Sequence, residues 1–212
     1  EPLFRRALTI NSEIYGSEHP EVARILTDLA ESLFAQGKYD QSRRLLEQAL
    51  RMQQRALRAT DPRIARTRNN LGALHAATGR FEMAAELYAG DLEARRASLP
   101  ADHPAIATTL NNLADVYRAQ CRFADAASMA REALAIRRAA LGDRHPLVAQ
   151  SLSNLGYIDL QRGRLGEAKP AFEEALAIRE AALAPDHPHV ATTLDSLAEV
   201  VAEEGNLDRA RT

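Results

Sequence analysis

Apolar residues recur along this chain at spacings of three and four, in stretches that stop and restart at regular intervals. Beyond Pro104 the series is Ile106, Leu110, Leu113, Ala114 and Tyr117, one stripe of an amphipathic helix about four turns long. Gln120-Cys121-Arg122 interrupts it. A second stripe then runs through Phe123, Ala126, Ala127, Ala130, Ala133, Leu134, Ile136 and Leu141, and Gly142 closes it. His103-Pro104 opens the pair, with proline where the first helical turn tolerates a missing N–H. The same two-helix unit begins again at His145-Pro146.

The repeat length is 42 residues, set by His19-Pro20, His103-Pro104, His145-Pro146 and His187-Pro188, with Asp61-Pro62 in the remaining slot. A fixed period of this size marks a solenoid, in which each unit buries its apolar face only against its neighbours. The units superpose without an insertion. Leu29-Ala30, Leu71-Gly72, Leu113-Ala114, Leu155-Gly156 and Leu197-Ala198 share one phase, where a small residue lets paired helices approach closely. Gly37, Gly79, Gly163 and Gly205 share the turn between the two helices, and Cys121 fills that phase in the third repeat. A tight turn there calls for positive φ, which a side chain disfavours by about 1 kcal/mol, so Cys121 reads as a local weak point.

These patterns predict an all-α solenoid of stacked antiparallel helix pairs, read as a single array over residues 1–212. Residues 1–18 form the second helix of an incomplete repeat, complete repeats cover 19–60, 61–102, 103–144 and 145–186, and 187–212 is a truncated repeat. Its first helix is expected over about 188–204. About ten helices and no strand are expected, with breaks near 17–20, 36–39, 59–62, 78–81, 100–104, 120–123, 142–146, 163–166 and 185–188.

Composition narrows the function by exclusion. Hydrophobic residues make up 46% and charged residues 26%, the balance of a folded chain. With a formal net charge of −2 and a pI near 6.4, no global field draws the chain to nucleic acid or to an anionic membrane. Aromatic residues, at 5%, supply little for base stacking. No stretch approaches the roughly 18 apolar residues of a membrane span, and no signal-peptide pattern opens the chain, so a cytoplasmic location is expected. The single cysteine excludes an internal disulfide. Nearly every basic residue is arginine, Lys38 and Lys169 being the only lysines, which reads as GC-rich codon bias or as a surface suited to bidentate carboxylate capture.

Chemistry-bearing motifs are absent. Histidines one repeat apart sit on layers about 10 Å apart, whereas zinc needs its ligands at about 2 Å. His187 and His189, two apart on a helix, do not face each other. The histidines are therefore read as helix caps, with no metal and no cofactor expected. There is no phosphate-cradling glycine loop, no His-Glu-x-x-His and no nucleophile elbow, so the chain is not read as an enzyme.

In the fourth repeat Leu155, Gly156, Ala168, Phe172 and Ala175 follow a pattern that resembles tetratricopeptide repeats. The 42-residue form is similar to the kinesin light chain class. Asn111-Asn112-Leu113-Ala114, Ala133-Leu134-Ala135-Ile136-Arg137 and Leu141-Gly142-Asp143-Arg144-His145-Pro146 carry that resemblance, which covers the whole chain. It implies a right-handed superhelix and a non-catalytic scaffold that takes a peptide segment or partner protein in a concave groove. The heptad coiled coil of true motor light chains is not present, so the resemblance points to a bacterial-type scaffold. The resemblance further implies that the first helices line the groove, with Asp28, Asn70, Asn112, Asn154 and Ser196 pointing into it.

An asparagine amide both donates and accepts, so a ladder of them can pair with an extended backbone of any sequence. The same asparagines can instead bridge adjacent helices. Groove candidates are Arg24, Asp28, Arg66, Asn69, Asn70, Thr108, Asn111, Asn112, Asp115, Arg118, Gln150, Asn154 and Tyr157. Of these, Arg24, Arg66 and Arg118 suit carboxylates, while Tyr157 with Leu160 suits an apolar side chain. An alternative reading makes the chain the sensing or regulatory arm of a larger effector, a protease or a nucleotide-hydrolysing switch. Apolar residues near the two ends, Phe4, Leu8 and Leu197, are expected to be incompletely covered, which suggests head-to-tail association of such fragments.

Overall fold

Helix boundaries follow from chemistry at the helix ends. The computed structural model describes the backbone of residues 1–211 and the side chains of residues 1–205. Its described residues form ten helices and no strand. They are α1 (Pro2–Tyr15), α2 (Pro20–Ala35), α3 (Tyr39–Ala56), α4 (Pro62–Ala77), α5 (Phe81–Ser98), α6 (Pro104–Ala119), α7 (Phe123–Leu141), α8 (Pro146–Gln161), α9 (Leu165–Ala182) and α10 (Pro188–Arg211).

Each first helix starts with proline, and the residue before it accepts a hydrogen bond from the N–H two residues on. The acceptors are His19 Nδ1 (3.2 Å from Glu21 N), Asp61 Oδ1 (2.9 Å from Arg63 N), and the Nδ1 atoms of His103, His145 and His187 (each 3.1 Å). Aspartate can replace histidine in the second repeat because both present an acceptor to an otherwise unpaired N–H.

The turn after each first helix is a Schellman motif. Gly37, Gly79, Cys121 and Gly163 take φ of 73°, 74°, 58° and 69°, and the next N–H returns to a carbonyl five residues back, as in Lys38 to Leu33 at 2.9 Å and Arg122 to Tyr117 at 2.8 Å. The expected turn at Gly205 is not formed, and α10 runs on to Arg211. Elsewhere a turn is favoured because the returning helix packs its apolar face on the first. At Gly205 continued backbone hydrogen bonding outweighs the roughly 1 kcal/mol cost of a helical glycine.

The chain divides into two compact units, residues 1–99 and 100–212. In the first, α2 packs on α3 and α4 on α5, with α1 against α2. In the second, α6 packs on α7 and α8 on α9, with α10 against α9. First helices also touch each other, α2 with α4 in one unit, and α6 with α8 and α8 with α10 in the other. By contrast, no Cα atom of α3 lies within 8 Å of α5, nor of α7 within 8 Å of α9. Within each unit the layers therefore curve with the first helices inside, and their exposed faces form the concave side.

The arginine that ends the Ala-Leu-Ala-Ile-Arg run locks successive layers. Arg137 is only 2% exposed, and its Nη1 donates to the Leu147 carbonyl (2.8 Å), Ser151 Oγ (2.9 Å) and Gln150 Oε1 (3.2 Å), tying α7 to the start of α8. Arg179 repeats the lock on α10, reaching the His189 carbonyl (3.3 Å) and Thr193 Oγ1. Burial without a carboxylate partner pushes the Arg137 guanidinium down to about 10.

Candidate functional site

In the second unit the concave face is built outward from a glycine. A Cβ at Gly156 would stand 2.7 Å from Phe172 Cζ, so only glycine lets the buried Phe172 ring reach the α8 backbone. That ring meets Tyr157 edge-on, with centroids 5.1 Å apart at 74°. From α10, Ser196 Oγ donates to the Tyr157 hydroxyl at 2.7 Å. Tyr157 is thus fixed on both sides, and with Leu160, Gln161, Leu165, Glu199 and Glu203 it lines a pocket of about 370 Å³.

One layer back, Asn154 Nδ2 makes two long hydrogen bonds, to Asn111 Oδ1 and to Asp115 Oδ2, both 3.3 Å. Asn111 is 2% exposed and donates to the Ala107 carbonyl (3.1 Å) and Ser151 Oγ (2.9 Å), so it joins α6 to α8 and supports the face from beneath. Asp115 is solvent-exposed yet crowded by the surrounding concave wall. That crowding raises its carboxyl pKa, against the opposing pull of Arg118 and of the Asn154 hydrogen bond. Arg118 Nη1 reaches Gln161 Oε1 at 3.4 Å. Thr108 is exposed and turns its hydroxyl back to the Pro104 carbonyl, and Gln150 is engaged by Arg137. Asn112 is half-buried on the same face.

The first unit presents an ion-pair network on α2 and α4. Arg24 bonds Glu21 (2.9 Å) and Asp28 (3.0 Å), while Arg66 bonds Asp28 (2.7 Å) and Glu31 (2.7 Å). Asn70 Nδ2 also donates to Glu31. Arg24 holds the Glu21 carboxyl below its usual range. Two of the three arginines expected to take a partner's carboxylates, Arg24 and Arg66, are thus already engaged within the chain. Beside them, Phe34 and Ala73 with Glu31 and Asn70 border a slot of about 110 Å³ over Ser42 and Leu46. Asn69, adjacent to Asn70, is half-buried.

The asparagine phase therefore does two things in this fold. Asn70 and Asn154 each bridge to the preceding first helix through Nδ2, and Ser196 bridges in the same direction. Their amide oxygens are different: among the described residues neither Asn70 Oδ1 nor Asn154 Oδ1 accepts a hydrogen bond, and neither is sealed from solvent. Glu31, Glu199, Glu203 and Leu165 were not among the sequence candidates. Glu31 and Glu199 share the 42-residue phase of Asp115 and Tyr157, so shifting those two candidates by whole repeats finds them. Among the described residues, no three His, Cys, Asp or Glu side chains converge in a way that would hold a metal ion. No helix there is long and apolar enough to cross a membrane.

Among curated proteins none matches the sequence at a significant level. Solved structures do match. The nearly identical TPR-like repeats of a Podosopora anserina protein assigned as a kinesin light chain share 25% identity, over 91% of this chain and 92% of that one, with a TM-score of 0.76. BtubC (BKLC) from P. vanneervenii is 22% identical over 98% of this chain and 82% of its own, with a TM-score of 0.79. The apo form of RapI, at 17% identity and a TM-score of 0.74, covers 84% of this chain and 62% of its own length. The family model for the tetratricopeptide repeat matches residues 1–55, 23–89, 63–139, 106–181 and 147–212. Such repeats are generally non-catalytic modules of protein–protein interaction. With those overlapping matches spanning residues 1–212, the chain belongs to the tetratricopeptide repeat family.

Proposed function

We propose that this protein is a scaffold that holds an extended segment of a partner protein against the inner faces of its first helices. The observation that carries this reading is the open amide oxygen of Asn70 and of Asn154, each on a side chain oriented by its own Nδ2 hydrogen bond. An oriented acceptor can take a backbone N–H without regard to sequence and without first losing side-chain freedom. Fixed side chains beside it then supply selectivity: the Phe34–Ala73 slot in the first unit, and Tyr157 with Leu160 in the second.

The test is affinity selection from a displayed library of random dodecapeptides, followed by titration of the labelled winners. Replacing Asn70 or Asn154 with alanine should weaken binding to that unit's inner face roughly two- to ten-fold, at about 0.5–1.5 kcal/mol for the lost hydrogen bond, with helicity retained. Undiminished affinity in both single variants would refute the amide ladder.

A further inference from the structure

The pocket at Tyr157 carries more information than the rest of the inner face. Its floor is apolar and rigid: the Tyr157 ring is held by Phe172 and by Ser196, with Leu160 and the nearly buried Leu165 beside it. Its far wall is α10, which contributes Glu199 and Glu203, one turn apart and both exposed. Like charges at that spacing repel. Among the described residues neither carboxylate has a cation partner, whereas the next one along, Glu204, is paired with Lys169 at 2.9 Å. The pocket is therefore apolar at its base and carries uncompensated negative charge on one wall. Its volume of about 370 Å³ falls in the range of ligand-binding clefts, and Gln161 supplies a polar edge.

We propose that this pocket selects, from the segment lying on the inner face, an apolar side chain adjacent to a lysine or arginine. The apolar group enters between Leu160, Leu165 and the Tyr157 ring, and the cation lies across Glu199 and Glu203. This rests on the reading that the inner faces hold a peptide, and it adds the chemical class of that peptide. An acidic segment is disfavoured because it would bring further negative charge to a wall on which no described residue supplies a cation.

The library of random dodecapeptides is panned on the wild-type chain and on the double variant Glu199→Lys with Glu203→Lys. Both substitutions lie on an exposed helix face, and far-UV circular dichroism verifies that the variant keeps its helicity. The wild type should enrich Lys or Arg within two positions of Leu, Ile, Met or Phe. The labelled wild-type consensus peptide should bind the variant about ten-fold more weakly, since each carboxylate contact is replaced by repulsion, and the difference should shrink with added salt. Enrichment of acidic residues by the wild type, or equal binding of the basic consensus by the charge-reversed variant, would overturn the proposal. The two readings separate cleanly. Peptides that lose affinity on Asn154→Ala but not on charge reversal sink the pocket alone. Peptides with the opposite behaviour sink the amide ladder and support the pocket. A library that yields no binder refutes both.

Discussion

Gly156→Ala isolates the packing device on which the second unit's concave face rests. A Cβ at this position would lie 2.7, 2.8 and 2.9 Å from Cζ, Cε1 and Cε2 of Phe172, and the ring is fully buried, so it has no free volume to retreat into. Alanine gains about 1 kcal/mol over glycine in a helix interior, while forcing an extra methyl into a packed core costs about 1–3 kcal/mol. The net expectation is a loss of about 1 kcal/mol. The first repeat shows how the conflict is relieved, since there Ala30 and Leu46 hold the phases of Gly156 and Phe172 and both are buried. On a Phe172→Leu background, Gly156→Ala should therefore stabilise by about 1 kcal/mol, giving a coupling of about 2 kcal/mol in the double-mutant cycle. Urea unfolding of the four chains, followed by far-UV circular dichroism, measures it. If alanine stabilises equally in both backgrounds, the ring does not constrain the glycine and the reasoning fails.

Two further outcomes are expected. Cys121→Gly removes a side chain from φ 58° and should stabilise by about 0.5–1 kcal/mol after the added entropy of the unfolded glycine, read as a raised urea midpoint; an unchanged or lowered midpoint would show that the turn carries no strain. Burial, with the nearby Arg80 charge, holds the His75 pKa below 6.5, so below that pH the unfolded chain takes up a proton that the folded chain resists. Stability should fall as the pH drops from about 6.5 toward the folded value. His75→Leu, the residue of the Leu33 phase, should remove that part of the loss, and parallel pH profiles of the two chains would count against it.

Much of this fold is legible in the sequence because its decisive signals are local. A histidine or aspartate before proline caps a helix through its own neighbours, and a glycine in the turn meets a φ requirement that needs no distant partner. The pairing of glycine with a bulky ring, Gly72 with Tyr88 and Gly156 with Phe172, is also readable once the repeats are superposed, since both members recur at fixed phase. Gly205 marks where local reasoning stops. Its phase matches the other turns, yet α10 runs through it as helix, because a glycine permits a turn without requiring one.

The site itself depended on the tertiary structure. The 42-residue phase put Asn70, Asn154 and Arg66 on first helices, and the family resemblance put those helices inside, but neither showed which neighbour each would choose. Asn70 and Arg66 converge on Glu31, and Asn154 divides its amide between Asn111 and Asp115. Those partners lie 35 to 43 residues away in sequence and meet only because stacking brings successive first helices side by side. The sequence determined the helices and, except at Gly205, their ends, because those depend on backbone hydrogen bonds and side-chain periodicity within one repeat. Which polar atoms remain open on the inner face was decided by packing between layers, since a side chain's hydrogen bonds are settled only when every competing donor and acceptor around it is in place.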